Sequence, residues 1–375
     1  MKKILIFSLA YYPHVGGAEI AIKEITDRMP EVEWHMVTKR FGNEPAVEKI
    51  GNVVVNRIGD PGDGKVSKFF FQFSAALKAR ELHERHAYNA VWAMMAHSAG
   101  VPAAIFKLFN PKVPYVLTLQ EGDPIPHIEK TMLPLWPLFS LAFKSADVVQ
   151  AISTFLGNWA RKRGFKGVLE IIPNGVDVTK FQGEEIAHDG LVLITTSRLV
   201  PKNAVDDIIR AAALLPDAKL RILGVGTEEE KLKKLARDLR IESRVEFVGF
   251  VPYEKIPTYL HEADIFIRPS RSEGMGNSFI EAMAAGLPVV ATQEGGIADF
   301  LFDAKRNPEK ETTGWALDAN SPEQIAEAVR AIVGNPETAE RVVEHARRVA
   351  IENYDWDKIT LAMRERVFNP VIKGE

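Results

Sequence analysis

The sequence predicts two doubly wound α/β domains in tandem. Its 375 residues exceed what a single hydrophobic core usually absorbs. Short β-branched runs alternate with longer helical segments, and the strand runs are apolar throughout, as in parallel sheets covered on both faces. This alternation occurs twice, on either side of the polar loop "FQGEEIAHDG" at 181–190. The expected division is a first domain at 1–182, a second at 183–355, and a further amphipathic helix at 356–375.

"KILIFS" makes a buried first strand at 3–8, and the following helix, 18–29, is opened by Gly16-Gly17. Strands are then expected at 33–37, 53–57, 90–93, 115–118, 148–151 and 169–172, each rich in Val, Ile, Leu or aromatic residues. The long segment 65–86 is helical. In the second half strands are expected at 191–196, 219–223, 245–248, 265–268 and 288–291. Helices fall between them at 204–214, 228–239, 253–261 and 278–285, the last stopped by Gly286. The tail is helical from about Ser321, and "YDWDKITLAMRERVF" supplies the final amphipathic stretch.

Composition removes several function classes. With 47 basic against 50 acidic residues the net charge is −3, which leaves no electrostatic footprint for nucleic acid. The absence of cysteine excludes disulfides, thiolate nucleophiles and Cys-ligated zinc, and fits a cytoplasmic location. The apolar start lacks a small-x-small cleavage site and reads as a strand rather than a secretion signal. The longest apolar segment, "MLPLWPLFSLAF" at 132–143, falls well short of the roughly 20 residues that span a bilayer.

In open α/β sheets, ligands bind beyond the carboxyl ends of the strands, and the unusual residues of this chain gather there. Arg198 and Lys202 follow the 191–196 strand. Together they suit a diphosphate, neutralising charge on a leaving phosphate; singly they would be solvated surface cations. Gly16 and Gly17 bring backbone N–H groups towards such phosphates, or simply make a tight turn. Glu273 and Glu281 bracket a turn containing Gly274 and Gly276, so that one carboxylate is placed for sugar hydroxyls and the other for a ribose. Ser278 and Glu281 also have the spacing of a capping box. His14 and His97 are placed to face a cleft, although His97 would equally cap a helix.

The stretch "EGMGNSFIEAMAAGLPVVAT" at 273–292 resembles the Glu-x7-Glu segment of the GT-B glycosyltransferases of family 4, which are retaining and use nucleotide sugars. The resemblance runs along nearly the whole chain: "GGAE" at 16–19, "IPNGVD" at 172–177, "SRLVPKN" at 197–203, "LRILGVGTEEEKL" at 220–232, "RVEFVGFV" at 244–251 and "GGIADFL" at 295–301. It implies two Rossmann-like domains facing a central cleft, closure about a hinge at 180–190, and a C-terminal helix crossing back to the first domain. It also implies transfer of a hexose-type sugar from a nucleoside-diphosphate sugar to a hydroxyl acceptor, with no metal and no further cofactor. Arg198 and Lys202 would hold the donor diphosphate, with Gly17 and Gly16 on its phosphate side. Glu273 would meet the sugar, assisted by backbone N–H groups of Gly274, Met275, Gly276, Asn277 and Ser278, while Glu281 would bind the ribose. Arg198, Lys202 and Glu273 form the implied catalytic set.

One departure matters. Many members carry a histidine near the reacting carbon, after the strand at 115–118; here that position is Gln120, which is neither acid nor base near neutral pH. The acceptor side then rests on His14, His97, Gln120, Glu121, Asp123 and Asn174. Glu121 or Asp123 would orient the acceptor hydroxyl, or act as a cap or turn acid. A metal-dependent transferase would need an Asp-x-Asp at a strand end, and the only one, Asp355-Trp-Asp357, opens the C-terminal helix. A nucleotide-sugar 2-epimerase and a non-catalytic nucleotide-sugar-binding protein share the architecture and are the alternatives. Acceptors of the family are often lipid-linked. The aromatic and basic segments 65–80 and 132–143 would therefore either rest on the inner membrane face or serve as core helices.

Overall fold

The computed structural model describes residues 1–183 and 186–372. They form two compact units, Met1–Gly175 with the segment from Trp356, and Val176–Asp355. The break lies at Gly175/Val176, ahead of the polar loop; positions 184 and 185 of the expected hinge lie outside the described residues.

The first unit holds β1 (Lys2–Phe7), β2 (Val32–Lys39), β3 (Val47–Ile50), β4 (Val53–Ile58), β5 (Ala90–Met94), β6 (Tyr115–Leu119), β7 (Val148–Ala151) and β8 (Val168–Ile171). They form one sheet in the order β3-β4-β2-β1-β5-β6-β7-β8. Every pairing is parallel except that of β3 with β4. β3 is absent from the sequence expectation because "VEKI" at a partly solvated edge lacks the continuous apolar run of the inner strands. By contrast Ile4, Leu5, Ile6 and Phe7 of β1 are all fully buried.

The C-terminal stretch belongs to this unit through its aromatic and aliphatic face. Trp356, Ile359, Met363, Val367 and Phe368 join the cluster of Trp34, Trp92 and Ile4. Phe368 stands edge-on to Trp34 and Trp92 at 5.4 and 5.1 Å, a favoured aromatic geometry. The apolar segment at 132–143 divides into the turn Leu133–Leu135 and the helix Trp136–Lys144, whose Phe139 and Phe143 are core residues. Among the described residues no helix is long and apolar enough to cross a membrane.

The second unit holds β9 (Leu191–Thr196), β10 (Ala218–Leu223), β11 (Val245–Gly249), β12 (Ile265–Arg268), β13 (Val289–Thr292) and β14 (Trp315–Leu317). The sheet is wholly parallel, in the order β11-β10-β9-β12-β13-β14. β14 has three residues, too few to leave a pattern in the sequence. Strand order reverses at β1, between β2 and β5, and at β9, between β10 and β12. The loops leaving β1 and β5, and those leaving β9 and β12, therefore flank the switch points where ligands bind in such sheets.

Candidate active site

In the second unit the chain leaves β9 through a tight turn that presents Arg198. Gly224, at φ 132°, lies so close beneath it that a Cβ there would sit 1.9 Å from the Ser197 carbonyl oxygen. The Asn203 side chain donates to the Arg198 carbonyl at 2.7 Å and closes the turn. The Arg198 guanidinium is exposed, with no side-chain partner among the described residues, while Lys202 is partly buried in the short turn Pro201–Asn203. Arg271 locks this turn to the loop after β12. Its backbone N–H donates to the Lys202 carbonyl at 2.7 Å, and its guanidinium pairs with Asp206 and Asp207 at 3.0 and 2.8 Å.

Glu273 lies on that second loop, buried, and pairs with Arg268 at 2.7 Å. Arg268 ends the apolar strand β12, donates also to the Ser278 hydroxyl, and lies 5.2 Å from the centre of the Phe279 ring. The Glu273 carbonyl accepts from the Gly296 N–H at 3.1 Å, and Gly295, at φ 64°, leaves no room for a Cβ, which would meet that carbonyl oxygen at 2.0 Å. The helix Asn277–Ala285 starts from Gly276, not from Ser278, and no side chain caps it. The capping box is thus absent, because Ser278 is turned to Arg268 and Glu281 lies inside the helix.

That leaves Glu281 buried without a hydrogen-bond partner among the described residues. Burial pushes its carboxyl up to about 7, against the opposing pull of Arg268. The folded chain thus favours the protonated form. The stability it contributes is complete below the ordinary value of 4.5 and is lost as pH rises through about 7. Between about pH 5 and pH 8 this group is expected to lower stability by roughly 2–3 kcal/mol. Melting temperatures across that range should fall less steeply in Glu281→Gln, and an unchanged slope would show that the carboxyl is not so perturbed. Buried polar atoms without partners collect at the same strand ends: Thr196 Oγ1, Ser197 Oγ, Ser270 Oγ and Arg268 Nε. Such atoms are costly unless water or a ligand satisfies them. Gly274 and Met275 are buried in the turn beside Glu273, and Asn277 lies half-buried at the helix start.

In the first unit the loop after β1 opens the helix Gly17–Asp27 from Gly16. The Gly16 N–H is taken by Glu19 Oε2 at 2.8 Å, so it is not available to a phosphate; around Gly17 the space is open. His14 pairs with Glu44 at 3.0 Å and lies against Phe41. His97 sits in the π-helical turn Ala96–Gly100, with Nδ1 3.3 Å from Glu121 Oε1. The same oxygen accepts from the Ala96 N–H at 2.6 Å, and the other accepts from the Gln120 N–H at 3.0 Å. Glu121, 2% exposed, is therefore an internal anchor that fixes His97 and its turn rather than a free group. Gln120 and Asn174 exchange amide hydrogen bonds of 2.8 and 3.1 Å, and Asp123 is exposed further along. His97, Glu121, Gln120 and Asn174 thus form one group, whereas His14 belongs to another.

Two residues of this constellation carry no motif in the sequence. Arg268 is signalled only by a cation closing an apolar strand, and Arg271 by nothing local, since its partners Asp206 and Asp207 come from another helix.

Two switch-point sheets and this arrangement of loops define a GT-B fold. Comparison with known proteins gives the family. The model for Glycosyltransferase Family 4 matches residues 15–180, and that for Glycosyl transferases group 1 matches 177–349. The chain belongs to this family of GT-B glycosyltransferases. An uncharacterized glycosyltransferase of Methanocaldococcus jannaschii is 23% identical over 365 residues, 97% of each chain. The GDP-mannose-dependent alpha-(1-6)-phosphatidylinositol monomannoside mannosyltransferase of Mycolicibacterium smegmatis is 32% identical over 237 residues, 56% of this chain and 59% of that one. Among solved structures, sucrose-phosphate synthase from Thermosynechococcus elongatus superposes with a TM-score of 0.84 at 18% identity, covering 100% of both chains. Anabaena HepE in complex with UDP and glucose gives a TM-score of 0.79 at 21% identity, covering 98% of this chain and 100% of that one.

Proposed function

We propose that this glycosyltransferase moves a hexose from a nucleoside-diphosphate sugar to a hydroxyl acceptor with retention of configuration, without a metal or other cofactor. The observation that carries the donor reading is the buried Glu281 carboxyl, without a hydrogen-bond partner among the described residues, in the same unit as the exposed Arg198 and with Lys202 near Arg198 in sequence. A ribose diol donates two hydrogen bonds to such a carboxylate, while the two cations stand in for the metal that would otherwise neutralise a diphosphate. Glu273, held by Arg268, keeps lone pairs for sugar hydroxyls, and N–H groups from Met275 to Ser278 assist; the Gly274 N–H, expected among them, donates instead to Glu273 Oε1 at 3.1 Å. The space around Gly17 is open, so its backbone is accessible to a phosphate oxygen.

In the step itself the C1–O bond to the diphosphate breaks and a C1–O bond to the acceptor forms on the same face. The acceptor's proton passes to the departing phosphate oxygen, so no basic side chain is required at Gln120. His97, oriented by Glu121, and the Gln120–Asn174 pair position the acceptor. The relatives named above include a GDP-mannose-dependent enzyme and a structure with UDP, so both bases belong in the test.

A thermal-shift panel of UDP, GDP and ADP with their hexose conjugates, on wild type and Glu281→Ala, is the experiment. A ligand at a hundred times its Kd adds about 2.7 kcal/mol to stability, so one nucleoside diphosphate is expected to raise the melting temperature by several degrees in wild type only. No shift with any of them would remove the donor reading. Product analysis with the donor so found separates transfer from epimerisation.

We also propose peripheral membrane contact through the helix Lys65–His86. Val66, Phe69, Phe70, Phe73 and Leu77 recur at helical spacing and are 71%, 41%, 62%, 37% and 70% exposed. Lys65 and Lys68 flank them, as suits an interfacial helix. The protein should co-sediment with anionic liposomes at low salt, and Phe70→Asp should abolish this; failure of wild type to co-sediment would end the proposal.

A further inference from the structure

At the amino end of β2, away from the strand ends just described, Glu33 and His35 alternate onto one face of the sheet. The helix Lys65–His86 ends beside them, closed by Ala87 at φ 51°, so that His86 is its last residue. One donor atom from each of Glu33, His35 and His86 lies within 4.8 Å of the other two. His35 is 5% exposed, with Nε2 3.1 Å from Glu33 Oε1 and Nδ1 2.6 Å from the buried Tyr88 hydroxyl. The two imidazoles stand edge to face, 4.5 Å between centres, and His86 has no hydrogen-bond partner among the described residues.

We propose that Glu33, His35 and His86 bind a zinc ion that ties the end of this helix to β2 and takes no part in glycosyl transfer. Two imidazoles and a carboxylate are a borderline N/O donor set of the kind Zn²⁺ takes, with water as the fourth ligand. A tetrahedral ion about 2.0–2.1 Å from each donor spaces the donors roughly 3.4 Å apart. The Glu33–His35 pair is already at 3.1 Å, and His86, half-buried on a terminal turn, closes the remainder by a small side-chain rotation.

Without metal, the His35 Nε2 proton is shared with Glu33 and the Tyr88 hydroxyl donates to Nδ1. Zinc takes the Nε2 lone pair as the ring changes tautomer: the Nε2 proton is lost and Nδ1 gains one, with no net change, so that Nδ1–H donates to the Tyr88 oxygen and the Tyr88 O–H turns away. Tyr88 is then the outer partner that fixes the ring. Lys3 opposes the ion: its ammonium lies 3.4 Å from Glu33 Oε2, the oxygen not facing His35. Nothing in the sequence marks the site, because His86 lies far along the chain from the Glu33-x-His35 pair and only the packing of the helix on β2 joins them.

Calorimetric titration of metal-stripped, untagged protein with ZnCl₂ tests this. One saturable equivalent is expected for wild type, and at least tenfold to a hundredfold weaker binding in His86→Ala, since loss of an outer partner alone already costs a metal site about that much. Lys3→Gln should bind more tightly than wild type. Zinc should also raise the melting temperature of wild type but not of His86→Ala, whose fold is checked in the same scan. Absence of saturable binding, or wild-type binding by His86→Ala, overturns the proposal. Because the readout is binding rather than turnover, it is independent of the transfer reading.

Discussion

Replacing Arg268 with alanine is expected to cost about 3–5 kcal/mol, because it strands a buried carboxylate. Glu273 has Arg268 as its ion-pair partner and is 9% exposed, so water does not take over the lost contact. The same guanidinium bonds Ser278 at the start of the helix Asn277–Ala285 and packs over Phe279, so both ends of the glycine turn loosen together. A fall of roughly ten degrees in melting temperature follows for a unit of this size. The double variant Arg268→Leu with Glu273→Leu should recover much of it, since the pair is then removed as a whole. A wild-type melting temperature for Arg268→Ala would show that the pair contributes nothing.

Arg198→Ala should act in the opposite way, on turnover and not on stability. Its guanidinium is exposed and has no side-chain partner among the described residues, so the melting temperature is expected to remain within about 1–2 degrees of wild type. Loss of one preorganised charge at a leaving group costs about 10²–10³ in kcat, and that is the expected loss in a donor-hydrolysis or transfer assay. Arg198→Lys keeps the charge without the bidentate fork and should fall between the two. Full activity in Arg198→Ala would remove this residue from the leaving-group role and leave Lys202 to be tested alone.

The inner strands were legible because burial on both faces writes them as unbroken apolar runs, and the helices because their boundaries carry glycine. β3 was not legible: on a half-solvated edge its pairing with β4 is a relation between segments, not a property of "VEKI". Arg198, Lys202, Glu273 and Glu281 stood out as polar residues at strand ends. What each is bonded to did not. The capping box expected from Ser278 and Glu281 has the right spacing, but Arg268 draws Ser278 away from the helix end. Likewise the sequence left Glu121 either to orient an acceptor hydroxyl or to act as a cap or turn acid, and both its oxygens accept from backbone N–H groups, of Ala96 and Gln120.

By itself the sequence determined the two parallel-sheet units, the order of their strands and helices, and the loops at which chemistry is placed. Each of these depends on local periodicity or on a residue's position relative to its own strand. The return of the last helix to the first unit was implied by the family resemblance, whereas tertiary structure alone decided that Arg268 stands behind Glu273 and that His86 meets Glu33 and His35. His86 meets β2 from far along the chain, and even Arg268 and Glu273, five residues apart, are joined only by the path of their loop. These contacts arise from packing and burial, which raise the Glu281 carboxyl and fix the Glu121 anchor, and no short stretch of sequence encodes them.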